Sequence, residues 1–131
     1  MHVSGDYLLM QRDISKPNYG GYYEATAGGS ALKGENEYTC IRRELLEETG
    51  ILADKFEKIS VDIEDDKNCI FYSFLCITDC EKDSIKLQQG ETMSYKWISE
   101  KEFIHFIHSG KMIDRQKRRY FNYFKEKGFI I

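Results

Sequence analysis

A chain of 131 residues is long enough for one domain with a sizeable core, and we read residues 1–131 as a single domain. With 41% hydrophobic and 31% charged residues the composition is that of a soluble globular protein, and a formal charge of −3 argues against a general nucleic-acid binder. The longest nearly apolar run, "CIFYSFLCI" at 69–77, has about half of the roughly 18 residues that suggest a membrane span, and no cleavable signal is visible at the N-terminus.

In chain order, "DYLLMQRD" (6–13) reads as a strand passing into a polar loop, and Pro17, the only proline, sits in the turn-rich "SKPNYGG". "YYEATAGG" (22–29) is a β-prone run ending in paired glycines. "GENEYTCIRRELLEETG" (34–50) is the strongest helical pattern. Tyr38, Ile41 and Leu45 form an apolar stripe, and Gly50 is a good C-terminal stop. "KISVDIED" (58–65) alternates like a half-buried strand. "NCIFYSFLCITD" (68–79) is apolar on both faces, which predicts a central strand covered on two sides. "SYKWIS" (94–99) is a further strand. "SEKEFIHFIHSG" (99–110) opens with a capping box, and "DRQKRRYFNYFKEKG" (114–128) is a second C-terminal helix. This order predicts an α/β fold, a mixed β-sheet sandwiched between α-helices.

The helix at 34–50 poses an electrostatic problem. Glu44, Glu47 and Glu48 lie three and four apart, so like charges share one face and repel. Two of them fall in the last turn before Gly50, where the helix dipole disfavours anions. They also border the apolar stripe, since Ile41 and Leu45 are close neighbours of Glu44 and Glu48 on a helical wheel. A solvated face would place lysine or arginine there. A hard divalent cation such as Mg²⁺, which takes oxygen ligands from carboxylates and phosphates, would remove the repulsion.

The wider spacing is more specific. It runs Gly29, five residues, Glu35, seven residues, Arg43-Glu44-Leu45, one residue, Glu47-Glu48, one residue, Gly50-Ile51. Chance would produce its seven fixed identities about once in 10⁸ start positions at average residue usage. This is the complete signature of the Nudix hydrolases, the MutT-like family, which the chain resembles without a departure inside the box. "YLLMQRD" and "GYYEATAGG" before the box and "LQQGETMSYKWISEKEF" after it also look like that family, from about residue 6 to 107. Relatives usually carry a full strand before the segment like "YLLMQR", where this chain has "MHVS" alone. Either that strand is short or an N-terminal piece is lacking.

The resemblance implies a Nudix fold whose box glutamates bind Mg²⁺ (or Mn²⁺) against the diphosphate of a small-molecule nucleoside diphosphate derivative. Glu47 and Glu48 are then the main metal ligands and Glu44 a further ligand or a base. Gly28 or Gly29 would offer a backbone carbonyl, because glycine permits close approach. Arg43 resembles the arginine that orients the catalytic glutamates, and Glu35 is the outlying glutamate, adding to the metal site or holding the loop. Glu91 lies in a loop where relatives keep an extra base or ligand. Arg12, at the end of the first strand, is a candidate bidentate phosphate clamp. His105 and His108 are read as edge-of-core residues. The basic stretch 111–127 has seven Lys or Arg against two acids and is read as an amphipathic packing helix with a solvated basic face, so nucleic acid is not expected as a partner. A homodimer is compatible with the sequence.

Two other functions fit the same resemblance. A non-catalytic Nudix-fold sensor would bind a nucleotide and regulate a partner, but such relatives usually have an eroded box. An enzyme of the isopentenyl-diphosphate isomerase type would resemble a catalytic cysteine in the strand region and a histidine-rich metal site. Here only His2, His105 and His108 occur, none clustered, and Cys40 falls inside the box helix.

Cys40, Cys69, Cys76 and Cys80 form no CxxC pair and no zinc spacing. Reduced thiols and a cytoplasmic location are the simplest expectation. Treatment of the folded protein with a thiol-blocking reagent is therefore expected to leave turnover unchanged. Loss of turnover without unfolding would revive the isomerase.

Overall fold

The computed structural model describes residues 1–25, 33–64 and 69–129. Its elements are β1 (Tyr7–Arg12), β2 (Tyr23–Glu24), α1 (Glu37–Thr49), β3 (Lys55–Glu64), β4 (Cys69–Ile77), β5 (Thr92–Ile98), α2 (Glu100–Phe106) and α3 (Asp114–Glu126). Among the described residues the strands form a three-stranded sheet in the order β2-β1-β5 and a β3-β4 pair. These ladders are antiparallel. Among the described residues the parallel contacts are two isolated bridges, His2 to Thr78 and Tyr23 to Met112. The short "MHVS" segment is thus docked beside the end of β4.

β1 separates two apolar layers, as the two-residue repeat of a strand requires. Tyr7 and Leu9 point into a cluster with Ile98, Phe103, Ile107, Met112 and Phe124, which closes against α2 and α3. Leu8, between them, packs with Trp97, Phe56 and the α1-side cluster of Leu45, Ile51, Ala53 and Ile85. Phe103 and Phe124 are fully buried, and Tyr7 stacks on Phe103 at 5.0 Å. The sheet is covered by helices on both faces, as expected for an α/β fold of this kind.

β4 departs from the sequence expectation. Among the described residues its ladder partner is β3 alone, and Tyr72 is exposed. The outward aromatic side chains find other cover. Tyr38 of α1 lies 4.9 Å from Phe74, and the Lys58 ammonium sits 4.7 Å from the Tyr72 ring. An aromatic ring with a cation over its face tolerates this partial exposure, so an apolar run need not be a central strand. β2 is also shorter than the run at 22–29, whose last four residues lie outside the described ones.

α1 is closed at both ends by its own sequence. The Asn36 side chain accepts from Thr39 N at 2.9 Å, and Gly50 takes the left-handed conformation at φ 77° with its N–H on Leu46 O. The buried Thr49 hydroxyl donates to Leu45 O at 2.7 Å and accepts from Ile51 N at 3.1 Å. Lys86 N donates to Thr49 O, which ties the helix end to the segment before β5. A Cβ on Gly50 would meet the Lys86 Cβ at 3.2 Å in addition to the left-handed strain. Gly50→Ala is therefore expected to lower the unfolding free energy in urea by about 1–2 kcal/mol, the usual cost of that conformation for an L-residue.

Candidate active site

Arg43 is the centre of the box helix. Its Nε and Nη2 donate to the two carboxylate oxygens of Glu35 at 2.9 and 3.1 Å, a fork-on-fork pair. Its Nη1 lies 3.0 Å from Glu44 and 3.2 Å from Glu47, one helical turn further on. One guanidinium thereby gathers three of the box carboxylates. Glu35 and Glu44 are nearly buried by area (12% and 13% exposed), whereas Glu47 stands out into solvent at 48%. Hydrogen bonding to Glu35, then to Glu47, holds the Arg43 pKa above its ordinary value. The last turn of α1 carries no basic residue, so Arg43, a turn and a half back, supplies the positive charge that the helix end lacks.

Glu48 is half-buried and lies beside this group on the helix, next to the buried Thr49. Gly28 and Gly29 lie outside the described residues. Among the described residues no group of three or more His, Cys, Asp or Glu side chains is arranged to hold a metal ion. The carboxylates near one another are instead drawn onto Arg43. Their chemistry nevertheless fits a hard divalent cation, because every donor in the group is a carboxylate oxygen.

Arg12 and Glu91 belong to a second charged group at the far end of β1. Glu91 is paired with Lys16 at 2.5 Å, and its backbone carbonyl accepts from Asp13 N. Arg12 donates from Nε to Asn18 O at 3.2 Å and lies 3.7 Å from Glu24. Glu24 was not singled out in the sequence. It is one of the less exposed acids, at 17%, and burial raises its carboxyl pKa against the pull of Arg12 and Gln116. The only sequence signal for it is a charged residue inside the β-prone "YYEATA". His105 and His108 stand apart from both groups. His105 is on α2 and His108 meets the edge of Phe121, but both are exposed, so the edge-of-core reading does not hold; the buried positions of this segment are Phe103 and Ile107.

The clustered carboxylates of α1 thus lie on one side of the β2-β1-β5 sheet, with α2 and α3 on the other. The NUDIX domain profile matches residues 3–121, and the chain belongs to that family. It is 30% identical over 113 residues to an uncharacterised Nudix hydrolase of Listeria monocytogenes, covering 83% of this chain and 64% of that protein. It is 28% identical over 114 residues to an isopentenyl-diphosphate Δ-isomerase of Corynebacterium diphtheriae, covering 80% and 62%. The chain thus spans less than two thirds of the length of these relatives. In fold it resembles DR0079 of Deinococcus radiodurans (TM-score 0.69, 15% identity, 91% of this chain and 75% of that one). It also resembles an Ap4A hydrolase of C. elegans solved as a binary complex (TM-score 0.59, 20% identity, 95% and 89%). Among the described residues no helix is long and apolar enough to cross a membrane.

Replacing Arg43 by Met would leave Glu35, Glu44 and Glu47 facing one another. A lower thermal midpoint is expected, with a deficit that widens at low ionic strength, where screening is weakest. Arg43→Lys should recover only part of it, because an ammonium cannot serve two carboxylates in a fixed fork. Equal midpoints for wild type and Arg43→Met across a salt series would contradict this.

Proposed function

We propose that this protein is a divalent-metal-dependent pyrophosphohydrolase that cleaves the P–O–P linkage of a nucleoside diphosphate joined to a second group. The observation that carries the reading is the gathering of Glu35, Glu44 and Glu47 around Arg43 on a helix with a complete box. Glu47 and Glu48 would hold Mg²⁺ or Mn²⁺, with Glu44, Glu35 and the Gly28 or Gly29 carbonyl as further donors. The bound cation would supply charge neutralisation at the diphosphate and acidify water.

The chain's own groups have separate tasks. Arg43, at 3.0 Å from Glu44 and 3.2 Å from Glu47, would hold the two carboxylates in fixed directions, so that little reorganisation is needed when substrate binds. Glu44 takes the proton from the attacking water. Glu91, tied by Lys16, is the alternative base. Arg12 binds the diphosphate by its guanidinium edge. Attack at phosphorus breaks one P–O bond of the anhydride, and the products are a nucleoside monophosphate and a second phosphorylated fragment.

Ap4A, on which the structural relative acts by its name, contains several such linkages and heads the panel of nucleotide diphosphate derivatives to be screened. The Corynebacterium relative makes allylic isomerisation the second reading. The histidines do not favour it. His2 is engaged with Ser4 and the Cys80 carbonyl, and His105 and His108 lie near α2. A catalytically silent nucleotide sensor would bind panel compounds without turning them over.

With the panel compounds, Mg²⁺ is expected to support turnover, EDTA to abolish it and excess Mg²⁺ to restore it. In ¹⁸O-labelled water the label should enter one phosphorus-bearing product only. Glu47→Gln and Glu48→Gln should each lower kcat by about 10² or more while the fold is kept, the scale on which single electrostatic groups act in catalysis. Label on carbon, phosphate release from simple monoesters as the main activity, or isomerisation of isopentenyl diphosphate would refute the hydrolase reading.

A further inference from the structure

The outer edge of β2 is completed in an unusual way. Tyr23 donates its N–H to Lys111 O at 2.8 Å, and its carbonyl accepts from Ile113 N at 3.2 Å. On one edge of a strand such paired groups recur every second residue, so Ala25 is next. At that point the neighbouring chain has turned into α3 and no longer offers an extended backbone. Two side chains of α3 take its place. Ala25 N donates to Gln116 Oε1 at 3.0 Å, and the Tyr120 hydroxyl donates to Ala25 O at 2.6 Å. Tyr120 packs edge-on against Phe103, and burial keeps its phenol protonated as a donor. Gln116 is itself buried.

The other end of the Gln116 amide continues into the charged group. Nε2 donates to Glu24 Oε2 at 3.5 Å, and the same carboxylate oxygen faces Arg12 Nη1 at 3.7 Å. Arg12 lies where the β1–β5 register shifts, between Gln11 and Arg12, so that Met93 of β5 is the extra residue. Bulges of this type re-aim a side chain. Arg12 Nε is committed to Asn18 O, and Glu24 flanks Nη1. A guanidinium carries five N–H donors in a rigid plane, so fixing two of its nitrogens fixes the direction of the third.

We infer that Gln116 is a positioning residue, bridging the Ala25 backbone and the Glu24 carboxylate so that Glu24 aims the Arg12 guanidinium at the substrate's diphosphate. This rests on the reading of Arg12 as the anion clamp. It gives α3 a part in substrate recognition without contact to substrate, and it explains a half-buried carboxylate beside an arginine. A glutamine fits the bridge because it donates at one end and accepts at the other, with no charge to neutralise Glu24.

The test is the affinity for the α,β-methylene analogue of ADP, whose P–C–P link resists hydrolysis, measured by calorimetry with Mg²⁺ present. Gln116→Leu, close in size but without polar atoms, is expected to weaken binding about tenfold, within the range for coupled neighbours. In an Arg12→Ala background the same change should have no further effect. Effects that multiply, or unchanged affinity with a lowered thermal midpoint, would reduce Gln116 to a structural brace and overturn the inference. Should Gln116→Leu not fold, Glu24→Gln breaks the same relay with little change of shape, and the same two expectations apply. On a turned-over panel compound the defect should appear in KM with kcat within about twofold, as for an interaction present equally in ground and transition states. If wild type binds the analogue and turns over no panel compound, the hydrolase reading falls while the double-mutant comparison still decides the role of Gln116.

Discussion

The bidentate pair between Arg43 and Glu35 is the contact on which the candidate site depends. Left to themselves, the four box glutamates, Glu35, Glu44, Glu47 and Glu48, would push each other outward into water. Because Glu35 precedes α1 and Arg43 lies within it, the pair also closes the entry segment onto the helix. The guanidinium then has Nη1 left to meet Glu44 and Glu47. The acidic face is therefore balanced within the protein to a large extent, and a cation would add to an arrangement already held together. An exposed ion pair contributes little on its own, but a network in which one arginine serves three acids restricts where each carboxylate can go.

The sheet gives this helix something to lean on. β1 sends alternate residues to opposite layers, so the α1 side and the α2–α3 side share one strand. The C-terminus of α1 is further held by Thr49, whose hydroxyl is satisfied inside its own turn, and by Lys86 N on the Thr49 carbonyl. That fixes the end of the helix at which Glu47 and Glu48 project. Away from it, the loop after β1 is wound tightly. Gly20 has the carbonyl oxygens of Ile14 and Lys16 where a Cβ would sit, at 2.7 and 2.8 Å, which makes any larger residue there displace backbone. This tight winding brings the Asn18 carbonyl to Arg12.

What local pattern controls was legible in the sequence. The capping box of Ser99 and Glu102 forms as its spacing indicates, α1 stops at Gly50, and Arg43, Glu44, Glu47 and Glu48 lie on that one helix. Contacts set by tertiary approach were not legible. The burial of Thr49 could not be read from a polar residue at the end of an apolar stripe, since its cost is cancelled only by the turn it closes. The Gln116 contact to Ala25 spans 91 residues and depends on where α3 crosses β2, which no periodicity encodes. The strand at 69–77 misled for a related reason. Its outward rings are covered by Tyr38 and Lys58, and a hydropathy pattern does not distinguish cover by a strand from cover by a helix and a cation.

The position of Trp97 makes the two layers of the molecule optically distinct. It is the only tryptophan in the chain. Its indole N–H donates to Lys82 O at 2.8 Å, and His2 meets its ring at 5.6 Å, so it lies on the α1 side of the sheet beside the docked N-terminal segment. The aromatic residues of the opposite layer, Tyr7, Phe103, Tyr120 and Phe124, include no indole. Tryptophan emission therefore reports on hydration of the layer that carries the box helix. Loosening of α3 alone would pass almost unseen in that signal and would show instead in the near-ultraviolet dichroism of the tyrosines.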